Sequence, residues 1–141
     1  IAMDIQHGDR AAVRDVRFRR IRVEIDADHP RPRLQTSPED RYDGAPGDGY
    51  LPRLMVVEIV STPYSKDTVR GTVRDVEFCD IEVTAPRMPV SVLRGFDAQH
   101  GVEGVTIGGL RWNGQALTDA AAARLTVGAH VQGVRFDSVS R

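Results

Sequence analysis

The chain has a single cysteine, Cys79, which excludes an internal disulfide and leaves the redox compartment open. It lacks an excess of charge of either sign: 19 basic and 20 acidic residues leave a formal net charge of −1 at pH 7. Nothing in that balance points to a nucleic-acid or membrane-surface partner. The longest apolar run falls far short of the roughly 20 residues that a helix needs to cross a bilayer. No signal peptide is visible, but the chain opens at Ile1 rather than Met, so a processed or truncated product is expected. Nucleophile elbow, phosphate loop, Walker sequence and EF-hand loop are all missing. His7, His100 and His130 have no second histidine or cysteine at metal-ligand spacing, so neither a metal nor another cofactor is expected.

What the chain does have is a repeat. Its 141 residues, one domain's worth, contain four copies of one apolar pattern. The copies begin at Val13, Val73, Val102 and Val131, with apolar residues at offsets 0, 3, 5, 8 and 10. Only the last departs, because Arg141 stands at its final offset. The second, third and fourth copies start 29 residues apart, and the first interval holds one repeat plus about 31 further residues.

These offsets have a stereochemical meaning. Steps of two keep side chains on one face of a strand, whereas a step of three changes parity. An interior row survives a step of three only if the backbone turns there. Asp15, Asp75, Gly104 and Gly133 stand just before offset 3, and all tolerate the left-handed conformation of such a corner. A second corner is predicted at Arg19-Arg20, Cys79-Asp80, Gly108-Gly109 and Asp137-Ser138. A third strand precedes each copy, over 2–6, 54–60, 90–95 and 125–127. The Arg-rich stretch Arg14 to Arg22 alternates with apolar residues and reads as the solvated face of a strand.

Three short strands per unit predict an all-β fold, a right-handed parallel β-helix of about four coils spanning residues 1–141 as one segment. A leucine-rich repeat is the rival, but it wants Asn or Cys at offset 8, where Ile21, Ile81, Leu110 and Val139 stand. It also wants a helix per unit in its long form, and only Thr118–Arg124 reads as helical. Residues 26–52, with five of the chain's eight prolines, read as one long inserted loop, either a surface excursion or a functional lip. The first coil has no covering segment before it. Missing N-terminal coils, or self-association through that edge, are therefore expected.

The wording V-x-D-V-x-F-x-x-I-x-V, the segment Ser91 to Val102 and the run Leu110-Arg-Trp-Asn-Gly-Gln115 resemble the C-terminal coils of pectin-lyase-like β-helix proteins. The resemblance is chiefly to the polygalacturonase-like glycoside hydrolases. It implies a polysaccharide or oligosaccharide partner and, by resemblance only, an extracellular or periplasmic location. That family works with carboxylates from N-x-D and D-D motifs, a G-H-G histidine and an R-x-K pair. Here Asn113 is the only asparagine, no two aspartates are adjacent, and Gln6 precedes His7-Gly8. The resemblance therefore carries over scaffold and not catalytic residues, and the catalytic carboxylates are expected outside this chain.

Six residues stand as candidate saccharide contacts. Tyr64 follows the strand ending near Val60, where such enzymes present a substrate-facing aromatic, and a packed surface tyrosine is the other reading. Arg94, Asp97 and His100 form the densest polar group beside a regular strand. Carboxylate, imidazole and guanidinium suit hydroxyl and uronate recognition, but they suit a loop hydrogen-bond network equally. Lys66 and Asp67, close to Arg70, admit the same two readings. The functional expectation is the C-terminal portion of a carbohydrate-active enzyme, foremost a polysaccharide-degrading glycoside hydrolase. A non-catalytic carbohydrate-binding or assembly module and part of a polysaccharide lyase are the alternatives.

Overall fold

Apolar residues two apart along a strand must share a face, so each copy of the repeat can bury one row only by stacking on the next. The computed structural model describes residues 1–26 and 52–137, and it shows that stacking. Most of the inserted segment 26–52, and Val139 and Arg141 of the fourth copy, lie outside the described residues. The strands are β1 (Met3–His7), β2 (Ala12–Glu24), β3 (Arg53–Ile59), β4 (Thr72–Thr84), β5 (Val90–Arg94) and β6 (Val102–Gly108). Short strands follow: β7 (Arg111–Trp112), β8 (Gln115–Ala116), β9 (Leu125–Val127), β10 (Val131–Gln132) and β11 (Arg135–Asp137). The protein is all-β, with no helix among the described residues.

Each repeat contributes one strand to a first sheet, ordered β1-β3-β5-β9. It then contributes a bent strand to a second sheet, in which β2 lies on β4, β4 on β6, and β10 and β11 on β6. These pairings are parallel, and their register matches like offsets. Val13, Val16, Phe18, Ile21 and Val23 lie beside Val73, Val76, Phe78, Ile81 and Val83. Val73, Val76 and Phe78 in turn lie beside Val102, Val105 and Ile107, and Phe136 lies beside Ile107.

Seven of the eight expected corners are present, and the eighth, at Asp137-Ser138, reaches Ser138 outside the described residues. Asp15, Asp75, Gly104 and Gly133 have φ of 58°, 55°, 71° and 67°, and Arg20, Asp80 and Gly109 have 56°, 56° and 64°. An aspartate accepts this conformation because its short polar side chain can bond locally, whereas a β-branched residue would clash. The chain thus bends without leaving the ladder.

Burial follows position in the stack. The second copy's five apolar offsets are all buried, Phe78 completely, while the corresponding residues of the first copy are half-buried. Phe18 stacks on Phe78 with ring centroids 5.1 Å apart and planes 4° from parallel. The arginines of β2 face solvent, and Arg17 and Arg19 reach Glu77 Oε2 at 3.3 and 2.7 Å. Such exposed pairs are worth about 0–1 kcal/mol each.

Two features depart from the sequence reading. Thr118–Arg124 forms turns rather than a helix. The Asp119 carboxylate accepts from Ala122 N at 2.8 Å as a helix cap would, but Arg124 adopts φ 48° and sends the chain into β9 after a single turn. The second feature is an antiparallel pair, β7 with β8, the exception to parallel pairing among the described residues. Asn113 and Gly114 both have positive φ, 49° and 81°, the requirement of a tight two-residue hairpin. Trp112 Nε1 and Asn113 Nδ2 donate to Ala85 O at 2.9 and 3.0 Å, fastening the hairpin to the preceding repeat.

Candidate functional site

Segments 8–11, 60–71, 95–101 and 128–130 each carry the chain from the first sheet to the second, so they stack as one corner of the molecule. Close stacking requires glycine here. A Cβ on Gly71 would lie 1.7 Å from Ala11 O, and one on Gly95 would lie 2.4 Å from His130 O. All six candidate residues fall on this corner or at its margin, one repeat apart.

They form distinct groups. In the first, Asp9 Oδ1 accepts from Lys66 N at 2.7 Å and Asp67 N at 2.8 Å, while Asp67 Oδ2 accepts from Arg10 N at 2.9 Å. Those two backbone donors hold the Asp9 carboxyl below its ordinary range. Arg70, itself buried, donates from Nη2 to Asp67 O and lies 5.8 Å from the Phe96 ring centroid. Asp67 therefore staples two repeats together, which is the loop-network reading of this residue. Tyr64 is 88% exposed at the tip of the same segment, with its backbone N donating to Thr62 Oγ1.

The second group is centred on Asp97. Its Oδ1 accepts from Gln99 N at 2.8 Å, His100 N at 2.9 Å and His100 Nδ1 at 2.7 Å. The His100 contact, followed by the backbone donors, holds the Asp97 carboxyl below its ordinary range. This contact orients the His100 ring through Nδ1.

Arg94 belongs to a third arrangement, on the outer face of the first sheet. Its Nη2 meets Glu58 Oε1 at 2.7 Å, and Gln6 Nε2 donates to Glu58 Oε2 at 3.0 Å. Gln6, Glu58 and Arg94 occupy matching positions on β1, β3 and β5. The Glu58 side chain is 7% exposed and Arg94 56%, so a buried carboxylate anchors a half-exposed guanidinium. Asp4, on the same strand as Gln6, has its carboxyl pushed up by burial.

Beside the Asp97 loop lies an open groove of about 220 Å³. It is lined by Thr72, Arg74, Asp97, Glu103, His130 and Gln132 among others. Arg74, Glu103 and Gln132 are register partners on β4, β6 and β10 and form a polar ladder up the wall. Arg74 Nε lies 3.5 Å from Glu103 Oε2. His130 adopts φ 57° at the corner of the fourth repeat. Of these, Asp97 alone was among the candidates named from sequence. Three of the others carry a usable signal, since Arg74, Glu103 and Gln132 all stand at offset 1, the outward position directly after the first apolar residue.

Among the described residues, no three His, Cys, Asp or Glu side chains gather closely enough to hold a metal ion, and no helix is long and apolar enough to cross a membrane. No family model, curated protein or solved structure matches the chain.

Proposed function

We propose that the chain is a segment of a right-handed parallel β-helix and serves as the saccharide-contacting C-terminal part of a carbohydrate-active enzyme. The enzyme class that fits best is a polysaccharide-degrading glycoside hydrolase whose acid and base carboxylates lie outside this chain. The observation that carries the reading is the groove, where guanidinium, carboxylate and carboxamide side chains repeat at one offset on consecutive strands. Mixed donors and acceptors on a rigid ladder suit a polymer of hydroxyl groups. The in-register stacking of like offsets, two of three steps at 29 residues, supports the β-helix.

Titration of the purified chain with a panel of neutral and acidic oligosaccharides, followed by amide chemical shifts, tests this. Binding at the groove with no reducing-sugar release is the expected result. Silence across the whole panel would remove the carbohydrate reading. Turnover abolished by Asp97→Ala or His100→Ala would instead place the chemistry on this chain.

A second reading is a non-catalytic binding or assembly module that stacks on another chain. It draws on the half-buried apolar row of β2, which among the described residues pairs on one side alone. The gene upstream of Ile1 separates the two: further coils with paired carboxylates favour the enzyme, and an immediate start codon favours the module.

A further inference from the structure

From the charge of the groove we infer that it takes a neutral saccharide and rejects a uronate chain. This inference rests on the carbohydrate reading above and names the ligand class within it. The groove wall holds one guanidinium, Arg74, two carboxylates, Asp97 and Glu103, and the His130 imidazole. Arg74 is already committed to Glu103 at 3.5 Å. Asp97 is ionised at neutral pH, because three donors converge on its Oδ1. Of the other cations near this corner, Arg94 is engaged on Glu58, and Arg70 on Asp67 O and the Phe96 ring, while Arg14, the register partner of Arg74 on β2, lies outside the groove lining.

A uronate entering this groove would set its carboxylate against Glu103 and Asp97 and would have to take Arg74 from Glu103. These side chains are half-exposed, so solvent screens the like-charge opposition, but two carboxylates together still disfavour the uronate. A neutral sugar meets no such opposition. Its hydroxyls can donate to Glu103, accept from Arg74, and do both with Gln132 and the Thr72 hydroxyl. Neighbouring strands are about 4.8 Å apart, so Arg74, Glu103 and Gln132 span about 10 Å along the stack, the length of a disaccharide.

The test is a titration of the whole chain at fixed ionic strength, read by amide chemical shifts. One set of probes is the neutral tetrasaccharides of galactose, glucose, mannose and xylose. The other is tetragalacturonate and tetramannuronate. At least one neutral probe should shift the amides of 72–74, 97–103 and 130–132 and bind about tenfold or more tightly than either uronate, given the like-charge opposition. Gln132→Ala, at an exposed position, should weaken that binding by about fivefold, the loss of one or two hydrogen bonds. Glu103→Gln frees Arg74 and should improve uronate binding by about threefold or more. Uronate binding through these same residues, tighter than every neutral probe, would overturn the inference and leave the carbohydrate reading standing. If no probe of either set binds, both fall.

Discussion

Phe78 sits at the centre of the stack, completely buried, with Phe18 on one side and Ile107 on the other. Replacing it with alanine removes a whole ring from a site whose walls are strand backbones locked into two ladders, so the cavity cannot collapse. Truncating a buried phenylalanine costs about 3–5 kcal/mol, and the rigidity of this site puts the expected loss in the upper half of that range. The parallel stack on Phe18 accounts for about 0.5–1.5 kcal/mol of it. Phe18 is half-buried at the edge of the described stack, so Phe18→Ala should cost about half as much, roughly 1.5–2.5 kcal/mol. Urea melts of both variants and of the double mutant measure the terms, with an unchanged m-value as the condition for comparison. If Phe78→Ala does not fold, Phe78→Leu keeps the site apolar and should cost about 1–2 kcal/mol. A loss below about 1 kcal/mol for Phe78→Ala, or equal losses at the two positions, would refute the inward ladder at offset 5.

Three further outcomes follow from other parts of the molecule. At the second corner, where Asp80 has φ 56°, Asp80→Gly should leave thermal stability nearly unchanged while Asp80→Val lowers it by about 1–2 kcal/mol. Asp97 has its folded-state value depressed, so its contribution to loop order is present above the ordinary carboxylate value of 3.8 and is lost as pH falls through the lower folded value. The Gln99 and His100 amide resonances should report that transition below pH 3.8, and Asp97→Asn should abolish it. We also propose that the chain self-associates through β1 and β2, each of which has a neighbour on one side among the described residues. Sedimentation at several concentrations should show a concentration-dependent rise in mass, and a strict monomer would mean that the edge is covered.

The residue pattern alone determined which side chains face inward and where the chain bends. Both are local matters. The side of a strand on which Val73, Val76 and Phe78 emerge depends on parity and on one left-handed residue, Asp75, so it is legible in a single copy of the repeat. The register of one copy on the next follows as well, because a one-residue slip would turn every apolar side chain outward. Tertiary structure alone decided what meets at the corner. Asp9 reaches the amides of Lys66 and Asp67 across more than fifty residues of chain, and Glu58 collects Gln6 and Arg94 from separate strands. No periodicity encodes these contacts, because the corner segments differ in length from repeat to repeat and only stacking sets their neighbours. The hairpin at Asn113-Gly114 is local in origin, an Asn-Gly turn with positive φ at both residues, and tertiary structure adds only its fastening to Ala85. The groove lies between these levels. Its ladder of Arg74, Glu103 and Gln132 is written in the repeat, but the loop that makes the ladder one wall of a groove is held there by Asp97 and by the close approach of Gly95 to His130.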